Sequence, residues 1–374
     1  MTVQDYIELG FTVEQANFLV KNGKYYRKRF IQLEDSLHNK GVEYLKELDE
    51  QFLIAQRAIE KEIRSWYQRF AINNGISLTD AKKWLTAKEL AELKWDVNEY
   101  IKYGQDKALM QLWSKQLENA SAKYHISRLE SLKIQTQQAL EVLYGNHLDG
   151  VDSLMRRIYT DGYYHTAFEV HKGVGIGWDI AAIDQRKLEK VISKPWAVDG
   201  KNFSERIWGN KQKLINEVHK EITQMCVLGK SPDQAIKNIS KVFDSTKKQA
   251  GKLVMTEAAF FSSAAQKDCY NELDVEYFEI VATLDSHTSA ICQEMDGKVF
   301  PMTQYEVGVT APPFHPWCRT VTVPAFDDEF GIGERAARGE DGKTYYIPSN
   351  ITYPQWKKSF VDGDKDGLKE VPKK

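Results

Sequence analysis

Apolar residues recur along the first half of the chain at alternating spacings of three and four. Leu45, Leu48, Phe52, Ala55, Ile59, Ile63, Trp66 and Phe70 form one such stripe, which predicts an amphipathic helix face. Asn73-Asn74-Gly75 predicts its end, and Ser77 or Thr79 can cap the next helix. Leu90, Leu93, Val97 and Ile101 continue the pattern as far as Gly104. A further helical segment runs from Leu109 through Leu112, Leu117, Ala120, Tyr124, Leu129, Leu132, Leu140 and Leu143, with a predicted close at Gly145-Asn146. Long helices with few glycines suit an elongated bundle or hairpin. Periodicity alone does not separate a packing domain from a partner-binding rod.

The pattern changes after residue 172. Gly173-Val174-Gly175-Ile176-Gly177 lacks the glycine spacing of a dinucleotide loop and reads as a flexible connection. Lys194-Pro195-Trp196 and Asp199-Gly200-Lys201 supply turn chemistry. Ser204 is placed to cap a helix carrying Trp208, Ile215, Val218 and Ile222. Gly229 then ends that helix, Ser231 caps the next and Pro232 fits its first turn. Ser245 reads as the cap of a third helix, through Leu253, Val254, Ala258, Phe261 and Ala265. From Val275 to Thr283 the period becomes that of a strand, with Val299-Phe300 and Thr320 to Val323 as further strands. The expected fold is a mainly α N-terminal half of long amphipathic helices and a C-terminal α+β module containing a small antiparallel sheet. The expected boundaries are a helical domain at 1–172, a connection at 173–203, the α+β module at 204–326 and an extended tail at 327–374.

Composition narrows the classes. Hydrophobic residues reach 42%, with 9 Trp, so a sizeable core can form. Lys+Arg (51) and Asp+Glu (53) nearly cancel, so nucleic acid or anionic lipid would have to be met by a local patch. No secretory signal and no membrane span are expected. Four cysteines are too sparse for a disulfide scaffold and point to a reducing compartment.

Two of the four cysteines and two of the eight histidines fall between Thr283 and Pro324. Cys292, His315 and Cys318 form a soft N/S set suited to tetrahedral zinc, and His287 could complete four. His315 and Cys318 are close enough in sequence to turn toward one ion, although a paired Cys-x-x-Cys knuckle is absent. The alternative is two buried thiols beside hydrogen-bonded imidazoles. Glu276, Glu279, Asp285, Glu294, Asp296 and Glu306 surround these residues, which makes the segment a poor reader of DNA. A buried Arg319–Glu257 pair would fix a strand against a helix, and a structural use of that pair is favoured over a catalytic carboxylate. Lys21, Lys24, Arg27, Lys28 and Arg29, interleaved with aromatics, form a basic patch for DNA phosphates or an acidic partner, or simply a solvated helix face. Asp362 to Gly367 copies the start of a calcium loop, but the twelfth position is Lys373.

The block Asp285-x-His287-Thr288, Cys292, Asp296-Gly297, Pro312-Pro313-x-His315-Pro316-x-Cys318-Arg319 resembles the C-terminal signature of the phage Mu F-like head morphogenesis family. The upstream Thr256-Glu257, taken as the end of a helix, resembles the same family, and the likeness spans roughly 205–325. Members commonly have Arg at the place of His287, Cys at Ser289 and a further Cys at Thr320, so the ligand set is thinner here. The resemblance implies a portal-associated minor head (minor capsid) protein of a tailed phage or prophage. Such a protein is expressed late and acts in head assembly and in DNA packaging or ejection. Its implied partners are the portal protein, the major capsid protein and phage DNA, with no membrane and no small-molecule substrate. Its implied location is the host bacterial cytoplasm during assembly and then the virion. It is not expected to be an enzyme. The rivals are a virion-carried zinc-dependent hydrolase or toxin-like transferase, and a DNA-binding ejection protein using the Lys21–Arg29 patch.

Overall fold

The computed structural model describes residues 4, 12–74, 128–177, 179–197, 199–228, 231–283, 288–326, 345–346 and 353–364. Three long helices dominate: α1 (Val13–Asn74), α2 (Arg128–Val174) and, further along, α5 (Pro232–Glu272). Between α2 and α5 come a two-residue strand β1 (Ile176–Gly177), α3 (Gln185–Ser193) and α4 (Phe203–Leu228). Strand β2 (Tyr277–Val281), short helix α6 (Ala290–Met295), β3 (Val299–Pro301) and β4 (Val321–Ala325) follow. Last come β5 (Tyr345–Tyr346) and α7 (Tyr353–Phe360). A long-helix first half and a small antiparallel sheet are both present, as the periodicity requires. The predicted helix over Leu90–Ile101 lies outside the described residues.

Three predicted helix ends are corrected. Gly145 does not close α2, because the buried run Leu140, Leu143, Tyr144, Val151 carries straight through it. One glycine costs a helix only about 1 kcal/mol, and that burial outweighs it. Ser245 does not start a helix; its hydroxyl donates back to the Val242 carbonyl (2.9 Å) inside the continuous α5. At α4 the cap is Asn202, not Ser204. Glu205 N–H donates to Asn202 Oδ1 (3.0 Å) while Asn202 N–H donates to Glu205 Oε2 (2.9 Å), a reciprocal capping box. Ser231 does cap α5, accepting from Gln234 N–H (3.2 Å).

The chain divides into two compact units that are not contiguous in sequence. Unit 1 takes Met1–Tyr44, Val151–Lys194 and Lys252–Lys374; unit 2 takes Leu45–Gly150 and Pro195–Gly251. Among its described residues, unit 2 holds helices and the turn that precedes α4, with no strand. Phe52 meets Tyr144 and Phe243 edge-on, with centroids 6.4 and 6.1 Å away. Its buried Lys211 ammonium lies over the Trp208 ring and pairs with Glu141.

Unit 1 holds both sheets. The three-stranded sheet has order β3-β2-β4, antiparallel throughout. Phe278 and Ile280 on β2 point into the core, and Phe278 packs on Tyr305 at 4.6 Å. The second sheet pairs Ile176 with Tyr346 and Gly177 with Tyr345. Gly173 ends no helix: a Cβ there would fall 2.3 Å from the Tyr26 hydroxyl, so only glycine lets that ring close over α2. Residues 353–360 are helical, not extended. Trp356 Nε1–H donates to His171 Nδ1 (3.0 Å), the Tyr353 ring stacks on His165 at 3.7 Å, and Ile180 N–H donates to the Phe360 carbonyl (2.9 Å).

Candidate metal centre

The sheet and α5 set the frame of the site. Tyr270 hydroxyl donates to the Thr322 carbonyl (3.0 Å), Thr322 hydroxyl donates to Gln266 Oε1 (2.8 Å), and Tyr305 hydroxyl donates to the Ser263 carbonyl (3.0 Å). The bonds that fasten β4 and Tyr305 to α5 thus run from Ser263 to Tyr270. Glu257 does not end a helix; it is buried in mid-α5. Thr256 is also mid-helix, its hydroxyl donating to the Lys252 carbonyl (2.7 Å). Arg319 is half-buried beside β4, near enough to His38 for its charge to help burial lower that imidazole's pKa.

Two short turns then carry the ligand-type side chains. In the first, Ser289 caps α6 by accepting from Cys292 N–H (3.3 Å). Asp296 closes the turn: its Oδ1 accepts from Ala282 N–H (2.8 Å) while its own N–H donates to the Cys292 carbonyl (3.0 Å). Gly297 follows at φ +76° and donates to the Ile280 carbonyl (2.8 Å), a left-handed step that favours glycine. The Asp296-Gly297 pair therefore locks α6 to the end of β2.

In the second turn Pro312-Pro313 is joined by a cis bond. From His315 the chain reverses, with Cys318 N–H donating to the His315 carbonyl (3.2 Å). Pro316 and Trp317, the latter at φ +64°, occupy the middle positions, as a type II turn demands. This reversal turns the sequence spacing of His315 and Cys318 into proximity. Thr283 hydroxyl donates to the Arg319 carbonyl (3.1 Å) and holds the turn beside the strand end.

Among the described residues, Cys292, His315 and Cys318 bring their ligand atoms within 4.8 Å of one another. Cys292 Sγ lies 3.1 Å from His315 Nε2 and 3.8 Å from Cys318 Sγ. Both sulfurs are buried, packed with Ala282 under the half-buried Phe314. Cys318, the Ser289 and Thr320 hydroxyls and His315 all hydrogen-bond the Cys292 sulfur and pull its thiol down to about 5 against burial. The Cys292 sulfur beside it, together with burial, pushes the Cys318 thiol up. Backbone groups of Phe314 and Thr320 donate to the Cys318 sulfur and oppose that rise. His315 Nδ1 sits 2.8 Å from the Pro316 carbonyl.

Three of the four residues named for zinc thus meet. His287, the fourth, and Asp285 lie outside the described residues. Ser289, Thr320 and the Pro316 carbonyl are members of the cluster that residue types alone do not announce. A hydroxyl next to a cysteine carries no sequence signal until the turn that aims it is known.

The basic patch is largely spent within unit 1. Arg27 is paired with Glu279, and Arg29 reaches Glu169 through Nε (3.0 Å), leaving Lys21, Lys24 and Lys28 as exposed charges on one helix face. Asp364 from the calcium-like string pairs with Lys358 (3.0 Å).

A sheet clasped to one long helix and closed by a Cys/His turn pair defines an α+β brace module within a helical protein. Residues 216–323, which include most of this module's sheet and its turns, match the family described as "Phage Mu protein F like protein". That match covers less than a third of the chain. The chain is also similar to an NAD(+)--arginine ADP-ribosyltransferase EFV of Enterococcus faecalis (strain ATCC 700802 / V583). It is 27% identical over 141 residues, 37% of this chain, and spans 28% of that relative's length. No solved structure matches. No described helix is long and apolar enough to cross a membrane.

Proposed function

We propose that this protein is a minor capsid component of a tailed phage or prophage, seated at the portal region through the portal protein, the major capsid protein or both. It is assembled in the host cytoplasm and carried in the finished head. The observation that carries this reading is that the Mu F-like match falls on the residues forming the clasp between α5 and the sheet. The long helices of the first half supply the surface for docking. Three exposed lysines make a weak DNA contact, so service to the genome runs through assembly more than through direct binding.

The chain acts here as a non-enzyme. Its two clustered sulfurs are buried under Phe314, which suits a brace better than a substrate site. The test is mass spectrometry of purified particles from the producing phage together with a particle count after a nonsense mutation in this gene. Low-copy presence in heads, and defective or empty heads without it, is the expected result. Normal, infectious, DNA-filled heads that never contain the protein would overturn the reading. Labelled NAD+ with an arginine acceptor is the parallel assay for the activity in the relative's name, and no transfer is expected.

A further inference from the structure

We propose that Cys292, His315 and Cys318 hold a zinc ion that pins the α6 turn to the 312–319 turn. The proposal goes beyond the virion reading and stands or falls separately from it.

Three features carry it. The first is spacing. Tetrahedral zinc with bonds of about 2.3 Å to sulfur sets its two sulfurs about 3.8 Å apart, and Cys292 Sγ and Cys318 Sγ are 3.8 Å apart. A disulfide would hold them at about 2.05 Å. The same geometry places sulfur and imidazole nitrogen about 3.5 Å apart. His315 Nε2, at 3.1 Å from Cys292 Sγ, moves out by a few tenths of an ångström on loading.

The second feature is the tautomer. His315 Nδ1 is 2.8 Å from the Pro316 carbonyl, so once a metal replaces the Cys292 contact, Nδ1 keeps the ring proton and Nε2 gives its lone pair to the ion. A backbone carbonyl placed this way commonly fixes a metal-ligating imidazole.

The third feature is charge. Both sulfurs are buried and 3.8 Å apart, so two thiolates there need a cation between them. The imidazole adds a lone pair and no charge. A dication at their centre makes the buried group neutral. Binding releases to solvent any proton still held by the two sulfurs, and each sulfur gives its electron pair to the metal. The three ligands found among the described residues leave a fourth vertex for one further donor. The cross-links close loops of 23 and 26 residues in sequence, so the ion acts on the stability of the module.

The test uses the full chain without a histidine tag, expressed in medium with trace zinc and assayed by elemental analysis. Roughly one zinc per chain is expected in the wild type. Cys292→Ser, Cys318→Ser and His315→Ala should each lose it, while Cys269→Ser, at a buried thiol of the same unit outside the cluster, keeps it. Because a cysteine variant could fail to fold, the wild type is also stripped with a chelator and followed by thermal melting. Tm should fall by about 5 °C or more and recover with Zn2+ but not Mg2+. Cobalt should restore the intense visible bands of a tetrahedral thiolate site. A folded wild type with zinc below roughly one tenth of an equivalent, a Tm indifferent to stripping and re-addition, or undiminished zinc in the Cys292→Ser/Cys318→Ser double variant each overturns the proposal.

Discussion

Units 1 and 2 each bury a histidine, His171 and His147, but the other ionisable groups they hide differ: carboxyl groups in unit 1, a lysine in unit 2. Unit 1 hides the Glu34 carboxyl, accepting from the Ser262 hydroxyl (2.8 Å), and burial pushes its pKa up to about 7. Unit 2 hides His147 and His219, both brought down to about 4 chiefly by burial, and a lysine, Lys211, against Glu141. Unit 1's own depressed imidazoles, His38 and His165, face Asp35 and Asp161, which favour the charged ring. The contrast means that acid does not act evenly. Glu34 keeps its proton in the fold up to about pH 7 but gives it up near 4.5 when unfolded, so its contribution is complete in acid and is lost as pH rises through that window. The buried histidines run the other way. Unfolded they take a proton near 6.5 and folded only near 4, so unit 2 loses stability as pH falls between those values.

The largest expected effect is in unit 2. Glu141→Gln leaves the Lys211 ammonium buried without its carboxylate and should cost about 3–5 kcal/mol in urea unfolding; a cost below about 1 kcal/mol would show that solvent already shares that charge. Glu34→Gln in unit 1 should raise stability by about 3 kcal/mol at pH 8 and leave it nearly unchanged at pH 4. Equal effects at both pH values would remove titration as the cause. Acid is the direct comparison. Hydrogen exchange at pH 5 should speed up in unit 2 peptides before unit 1 peptides, and His147→Leu should recover about 2 kcal/mol of that loss; simultaneous opening of both units would break the contrast. The smallest effect belongs to the turn. Trp317→Gly removes a left-handed tryptophan and should gain about 1 kcal/mol with zinc content unchanged.

The period of three and four exposed the long helices, and the change of period after Asn271 exposed the strands, since each reports a buried face directly. Helix ends were the weak point. Gly145 and Ser245 carry end signals of about 1 kcal/mol, and continuous burial on either side overrides them. The division into units was largely hidden as well, because three of its four boundaries fall inside α1, α2 and α5, and only Lys194/Pro195 falls in a turn. At the site, residue type and spacing were enough to gather Cys292, His315 and Cys318. The family resemblance placed Thr256-Glu257 at a helix end, whereas both lie in mid-α5. Which arginine is spent within the fold could not be read locally. Arg27 finds Glu279 across 252 residues, a pairing visible only in three dimensions.

The clasp of Tyr353, Trp356 and Phe360 on α2 also sets a timetable for synthesis. The α1 face holding Tyr26 and Phe30 leaves the ribosome well before α7 and β5, which belong to the same unit. At bacterial translation rates that interval is on the order of tens of seconds. Through it the nascent chain displays apolar side chains whose partners are not yet made, which makes this protein a natural client for chaperones.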